Sequence, residues 1–196
     1  GRGEVHKGQA KSGHVEGAGF DLYGRMVSDA VAAYRGDAPT EKTDVRMDLQ
    51  VDAHIPEGYV RGERLRLEVY AKIAATSTPE QEADVREELV DRYGPIPPQV
   101  DLLFAVARLR EIVRRVGIAE VVTQGKYLRV SPVELRDSQV MRLKRLHPGT
   151  VIKTAVRQVL VPLPLTTRIG GSPLTDGPLL EWVETLVTKI LVPFGE

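Results

Sequence analysis

The sequence predicts an α+β fold: a helical block of three main helices packed with a small, mostly antiparallel sheet, preceded by an extra N-terminal helix. Three observations carry this reading. Apolar residues recur at helical spacing through most of residues 65–116. Past Gly117 the pattern changes to short runs rich in β-branched residues, separated by turn signals. A last amphipathic stretch closes the chain around Leu179, Val183, Leu186, Val187 and Ile190, with Trp182 near its edge.

The elements follow in order. Phe20, Tyr23, Val27, Val31 and Tyr34 lie close to helical spacing, and Arg35-Gly36 ends that run. The stretch "GDAPTEKT", Gly36 to Thr43, supplies Gly, Pro and charges, so residues 1–36, a linker at 37–44 and a domain at 45–196 are expected. In "DVRMDLQVDAHIP" the residues Val45, Met47, Leu49 and Val51 alternate with Arg46, Asp48, Gln50 and Asp52, the pattern of a half-buried strand.

Leu65, Val69 and Ile73 form an i, i+4, i+8 stripe, with Glu68 and Lys72 in the favourable order on the surface. "TPEQ", Thr78 to Gln81, is a capping box with Pro at the first helical position: the Thr hydroxyl accepts from an orphan N–H while the Gln side chain reaches back. That helix should end at Tyr93, before Gly94-Pro95. A third runs from Pro97-Pro98 to about Val116, with apolar residues nearly all round it, as for a buried central helix.

"IAEVVT" and "YLRVS" flank Gln124-Gly125-Lys126, a hairpin signal. "DSQVMRLKRLH" reads as a short basic helix capped by Asp137 or Ser138, and "TVIKTAVRQVLVPLP" as one strand or a pair. "TTRIGGSPLTDGP" reads as a loop, expected to be mobile.

Composition is that of an ordinary globular chain: 196 residues, 42% hydrophobic and 28% charged, with no cysteine. The missing cysteine excludes disulfides and thiolate metal sites and suits a cytoplasmic location. No apolar run approaches the ~18 residues of a membrane helix, so no membrane partner is expected. The polar, Gly-rich start without a Met suggests a cut from a longer protein. The net charge of zero conceals a division. Residues 37–100 hold 8 Lys/Arg against 14 Asp/Glu, and residues 101–168 hold 13 against 5. The halves either compensate each other within one fold or form a two-faced docking surface.

A search for catalytic chemistry finds little. There is no GxxxxGK[ST] phosphate loop, no GxGxxG between strand and helix and no GxSxG elbow. Gly17 and Gly19 suit entry to a helix better than an anion cradle. His6, His14, His54 and His147 are dispersed outside any metal-ligand spacing, and no catalytic or metal residue is assigned. Glu80, Glu87, Glu88 and Asp91 alternate with Arg86 and Arg92, as a solvated helix face does. Arg108, Arg114 and Arg115, with Arg142, Lys144 and Arg145, are the candidates for phosphate contact, though few aromatic residues accompany them for base stacking.

Two stretches go further. "KSGHVEGAGFDLYGRMVSDAV" resembles the end of the translocation motif of the bacterial transcription-repair coupling factor family, in which Gln-Ser-Gly-His precedes a Gly-Phe-x-Leu-Tyr helix. "RLRLEVYAKIA…ELVDRYGPIP", continued by "ARLREIVRRVGI", resembles the core of that family's C-terminal domain. The resemblance implies the tail of a large ATP-driven translocase on double-stranded DNA, which displaces stalled RNA polymerase and recruits UvrA. ATP and Mg would belong to motor domains upstream, and this chain would hold no cofactor and catalyse nothing.

The family's C-terminal domain docks on the parent's UvrB-like module and masks the UvrA-binding surface, an autoinhibitory contact. Mapped residue by residue, the resemblance gives Glu88, Asp91 and Arg92 as docking residues. It gives Arg2, Lys11, Ser12, Gly13 and His14 as the remnant of the translocation motif, with Lys11 where the family has Gln. The alternative reading is a nucleic-acid-binding module using the basic residues of 108–145.

Overall fold

The computed structural model describes residues 45–192. The expected N-terminal helix, the 37–44 linker and the translocation-motif residues Arg2, Lys11, Ser12, Gly13 and His14 lie outside the described residues. Within them the fold is α+β: five helices, α1 (Glu63–Ala74), α2 (Pro79–Tyr93), α3 (Pro98–Arg115), α4 (Asp137–Leu146) and α5 (Asp176–Thr185), and one five-stranded sheet. The described residues gather into two compact units, one of residues 51–104 and the other of residues 45–50 with 105–192. The charge division follows the same line. The first unit holds eleven acidic and six basic residues, the second eight and fifteen.

In the first unit, α1 and α2 bury one stripe each. Val69 and Ile73 are the buried residues of α1 and Leu89 that of α2, against a core that includes Val60, Val100 and Phe104. Removing such side chains from water is the main driving term for the unit. Thr78 caps α2 as expected, its hydroxyl accepting from Gln81 N at 3.2 Å, with Pro79 at the first helical position. Gln81 Oε1 accepts from Ser77 N at 2.9 Å and from Ser77 Oγ, one residue earlier than the capping box calls for. Gly94 ends α2 at φ 91°, where a side chain would be strained, and its N–H donates to Val90 O.

The second unit is built on the sheet, ordered β1-β2-β3-β5-β4 from β1 (Arg46–Asp48), β2 (Glu120–Gln124), β3 (Tyr127–Ser131), β4 (Val151–Lys153) and β5 (Gln158–Pro162). β1 pairs with β2 in parallel, and every other neighbouring pair is antiparallel. The register puts Met47, Val121, Val130, Leu128, Val159 and Val161 on one face, all buried. The opposite face carries Arg46, Glu120, Arg129 and Ser131, linked by Glu120, which accepts from Arg46 (3.2 Å), Arg129 (2.8 Å) and Ser131 (3.2 Å).

Several expectations need correction. The first strand keeps its inward alternation, with Val45, Met47 and Leu49 buried, yet its ladder covers only Arg46–Asp48. At its end a side chain and the start of α5 take over the pairing: Thr123 Oγ1 donates to Asp48 O, and Asp176 N donates to Gln50 O. α3 is not apolar all round. Val100, Phe104, Val106, Leu109 and Val113 are buried, while Asp101, Arg108 and Arg115, seven residues apart, keep one face exposed. α4 is capped by neither Asp137 nor Ser138. Its N-cap is Arg136, whose backbone N–H donates to Gln139 Oε1 at 2.8 Å.

"TVIKTAVRQVLVPLP" resolves as the pair β4 and β5, joined through a 3-10 turn at Thr154–Val156 and a left-handed Arg157. The last helix ends in a π-helical turn, Leu186–Ile190, which sets Leu186, Val187 and Ile190 all inward. The stretch read as a loop is closed into a small hairpin by a bridge between Leu165 and Pro173.

Candidate docking face

The docking candidates sit at the C-terminal end of α2, and the fold divides them. Glu88 faces α1: its Oε1 accepts from Lys72 Nζ at 2.5 Å and lies 3.5 Å from Arg92 Nη1. The Lys72 hydrogen bond, and then the Lys72 and Arg92 charges, hold its carboxyl below the usual 4.5. Arg92 reaches back to Glu88 and also lies over the Tyr93 ring, 5.2 Å from its centroid. Asp91 is exposed and takes part in no ion pair among the described residues.

Tyr59 anchors this end of the helix. Its hydroxyl is placed to donate to Gly94 O at 2.9 Å and lies 3.3 Å from Leu89 O, and its ring meets Tyr93 at 5.8 Å. On the far side of α2, Arg86 lies over Phe104 at 4.3 Å and bonds both Glu82 (3.0 Å) and Asp101 (2.6 Å), tying α2 to the start of α3. So most of the "ELVDRYGPIP" stretch is occupied in building the α2 terminus: Leu89 is core, Glu88 and Arg92 hold each other and α1, and Gly94 makes the turn.

Helical spacing then defines what faces outward. Glu80, Asp84, Glu87 and Asp91 fall at i, i+4, i+7 and i+11, one stripe about 16 Å long at 1.5 Å per residue, and all four are exposed. Ala83 and Val90 lie exposed beside it, Val90 at 48%. The sequence alone grouped Glu80, Glu87, Glu88 and Asp91 as one solvated face and did not separate Asp91 from Glu88, because Lys72 lies sixteen residues away and no local spacing joins it to Glu88.

The basic candidates are distributed differently. Arg114 Nε and Nη2 both donate to Glu111, at 3.1 and 2.6 Å, and Arg115 Nε donates to the same carboxylate at 3.1 Å. The Arg114 hydrogen bond lowers the Glu111 pKa, and Glu111 raises that of Arg114. Arg142 Nη1 donates to Lys189 O at 3.3 Å, at the end of the chain's last helix. Lys144 and Arg145 are exposed on the last turn of α4, where cations also complement the helix dipole, and Arg108 is exposed on α3. The fold brings Arg114 and Arg115 together on Glu111, and α4 carries Arg142, Lys144 and Arg145.

Among the described residues no group of three His, Asp or Glu is placed to hold a metal, and no helix is long and apolar enough to cross a membrane.

Comparison with known proteins agrees with this architecture. Residues 49–143 match the family model described as the TRCF domain. Over 195 residues the chain is 42% identical to the transcription-repair-coupling factor of Mycobacterium tuberculosis, covering 93% of this chain and 16% of that protein. The Bacillus subtilis and Staphylococcus aureus proteins of the same name are 32% and 31% identical, over 61% and 81% of this chain and 10% and 14% of theirs. The chain thus spans about a sixth of the length of the first of these relatives or less. A crystal structure of the C-terminal domain of a transcription-repair coupling factor has a similar fold, with TM-score 0.52 and 18% identity, over 67% of this chain and 86% of the other.

Proposed function

We propose, for a chain that belongs to the transcription-repair-coupling factor family and corresponds to its C-terminal domain, a non-catalytic regulatory role: reversible docking on the UvrB-like module of the parent protein. In this reading the docked domain masks the surface that UvrA would bind, and release of the contact exposes it. The parent's ATP-driven movement on double-stranded DNA and its action on RNA polymerase belong to upstream domains.

One observation carries the reading. Asp91, in the family-like "ELVDR" stretch, is exposed and in no ion pair among the described residues, whereas its neighbours Glu88 and Arg92 hold each other and Glu88 also holds Lys72. An exposed carboxylate held on a well-anchored helix end suits a contact that must form and break, since such contacts are sensitive to salt and involve little apolar area. The use of Arg114 and Arg115 to neutralise Glu111 favours this docking reading over a nucleic-acid interface along α3.

Calorimetry of this chain with the parent's UvrB-like module, at low and high salt, tests the proposal. Binding is expected at low salt, weakened by salt and reduced about tenfold or more by Asp91→Ala. Glu88→Ala should weaken it less, and through a loosened helix end. Absence of binding at low salt, or full binding by the Asp91 variant, would overturn the assignment. Retention on duplex DNA with a steep salt dependence would instead point to the basic residues.

A further inference from the structure

The hairpin at 165–173 is a small hydrogen-bonded structure that carries one large apolar residue, Ile169, at its tip. Its strands are closed by the Leu165–Pro173 bridge, with Thr166 N donating to Ser172 O at 2.8 Å and Leu174 N to Pro164 O at 2.9 Å. Within the tip, Thr167 Oγ1 donates to Ile169 O at 3.0 Å and Ser172 N to Thr166 Oγ1 at 3.2 Å. Two glycines make the turn. Gly170 has φ 70°, and a Cβ on Gly171 would lie 2.5 Å from the Thr167 backbone, so neither position accepts a side chain without rearrangement. These bonds hold Ile169 at 92% exposure, the most exposed large hydrophobic residue among those described, next to an exposed Arg168. Arg168 is the only charged residue between positions 163 and 175.

The same chain carries a surface of matching chemistry. The outer face of α2 presents Ala83 and Val90 beside Glu87 and Asp91, all exposed, with no cation in that stripe. An apolar tip flanked by one cation meets an apolar strip flanked by carboxylates. Ile169 is 92% exposed, so its side chain is available to a partner.

We infer that the hairpin of one copy docks on the α2 face of a second copy, with Ile169 against Ala83 and Val90 and Arg168 beside Glu87 and Asp91. The acidic excess of residues 51–104 and the basic excess of 105–192 add long-range attraction in the same sense. A preorganised tip loses little freedom on binding, which favours a contact of modest area. The association is head to tail, because the two patches differ, so it either closes into a ring or extends with concentration. It covers Asp91, so self-association would compete with docking on another domain.

Sedimentation velocity of the 196-residue chain over a wide concentration range, at low and high salt, tests the inference. The wild-type chain is expected to show concentration-dependent association that salt weakens, and Ile169→Asp should weaken it about tenfold or more. Both patches are exposed, so the variants should keep the wild-type circular dichroism. A charge exchange gives the sharper reading. Arg168→Glu alone and the Glu87→Lys/Asp91→Lys pair alone should each be monomeric, and an equal mixture of the two should associate. A wild-type chain that stays monomeric up to about millimolar concentration, or an Ile169→Asp chain that associates like wild type, would overturn the inference. Ile169→Asp leaves Asp91 in place, so at concentrations where the wild-type chain is monomeric the variant should bind the UvrB-like module as the wild type does, and at higher concentrations, where self-association competes, it should bind better; failure of the docking reading and failure of this one are therefore separable.

Discussion

Lys72 of α1 donates to Glu88 of α2 across sixteen residues of sequence, and that bond turns Glu88 from a surface carboxylate into a clamp between two helices. Arg92 approaches the same oxygen from the following turn. Of the charges in "ELVDR", Asp91 alone remains available, which is why a docking role falls mainly on it.

The clamp has a pH signature. The folded-state pKa of Glu88 is lowered, first by the Lys72 hydrogen bond. Its contribution is therefore fully present above the ordinary carboxylate value near 4.5 and is lost as pH falls below that value toward the folded one. Glu88→Gln should cost about 0.5–1 kcal/mol at pH 7, since the pair is partly exposed and screened by water. Near pH 3 the difference should shrink. Urea midpoints at both pH values check this, and a penalty that stayed constant down to pH 3 would assign the effect to packing.

Much of this architecture was legible before the structure. Thr78, Pro79 and Gly94 delimit α2 through local chemistry, and the hairpin about Gly125 follows from its two flanking β-branched runs. What sequence could not supply was contact between distant residues. β1 shortens because its last residue bonds to the Thr123 side chain and Gln50 beyond it to Asp176, each over seventy residues away. Leu102 and Ile112 made α3 look apolar all round, but both are only half-buried, and the repeat of Asp101, Arg108 and Arg115 every seven residues marks the open face. For the candidate site, the "ELVDR" motif located the helix end. The separation of Asp91 from Glu88 depends on Lys72, and the anchor from Tyr59 comes from thirty-five residues upstream of Gly94.

His147 offers a second pH test, in the other unit. It closes α4 and meets the Trp182 ring edge-on at a centroid distance of 5.4 Å. Burial holds its imidazole below the usual 6.5. An unfolded chain takes up a proton at 6.5 that the folded chain refuses, so stability is full above that value and falls as pH drops below it. Trp182 fluorescence reports on the contact. Wild type should lose stability between pH 7.5 and 5.5, and His147→Gln should flatten that part of the profile. Parallel profiles for the two proteins would remove His147 from the explanation.

Gln139 is the last test, because it is a buried polar side chain bonded at both ends. Only 3% exposed, it accepts from Arg136 N and its Nε2 donates to Val192 O at 2.8 Å, so one amide caps α4 and fastens the end of the described chain. Arg142 makes a second bond to that segment, through Lys189 O, so the segment should loosen but not detach when Gln139 changes. Gln139→Met keeps the volume and removes both bonds, leaving Val192 O without its partner. A loss of about 1 kcal/mol or more is expected, since the freed Val192 acceptor is only half-buried and can partly recover a partner in water. Gln139→Ala adds a cavity and should cost more. Hydrogen exchange should show faster opening at Ile190 and Leu191 in both variants. If Gln139→Met were as stable as wild type, with unchanged exchange there, the amide would be filling space and α4 would need no cap from within.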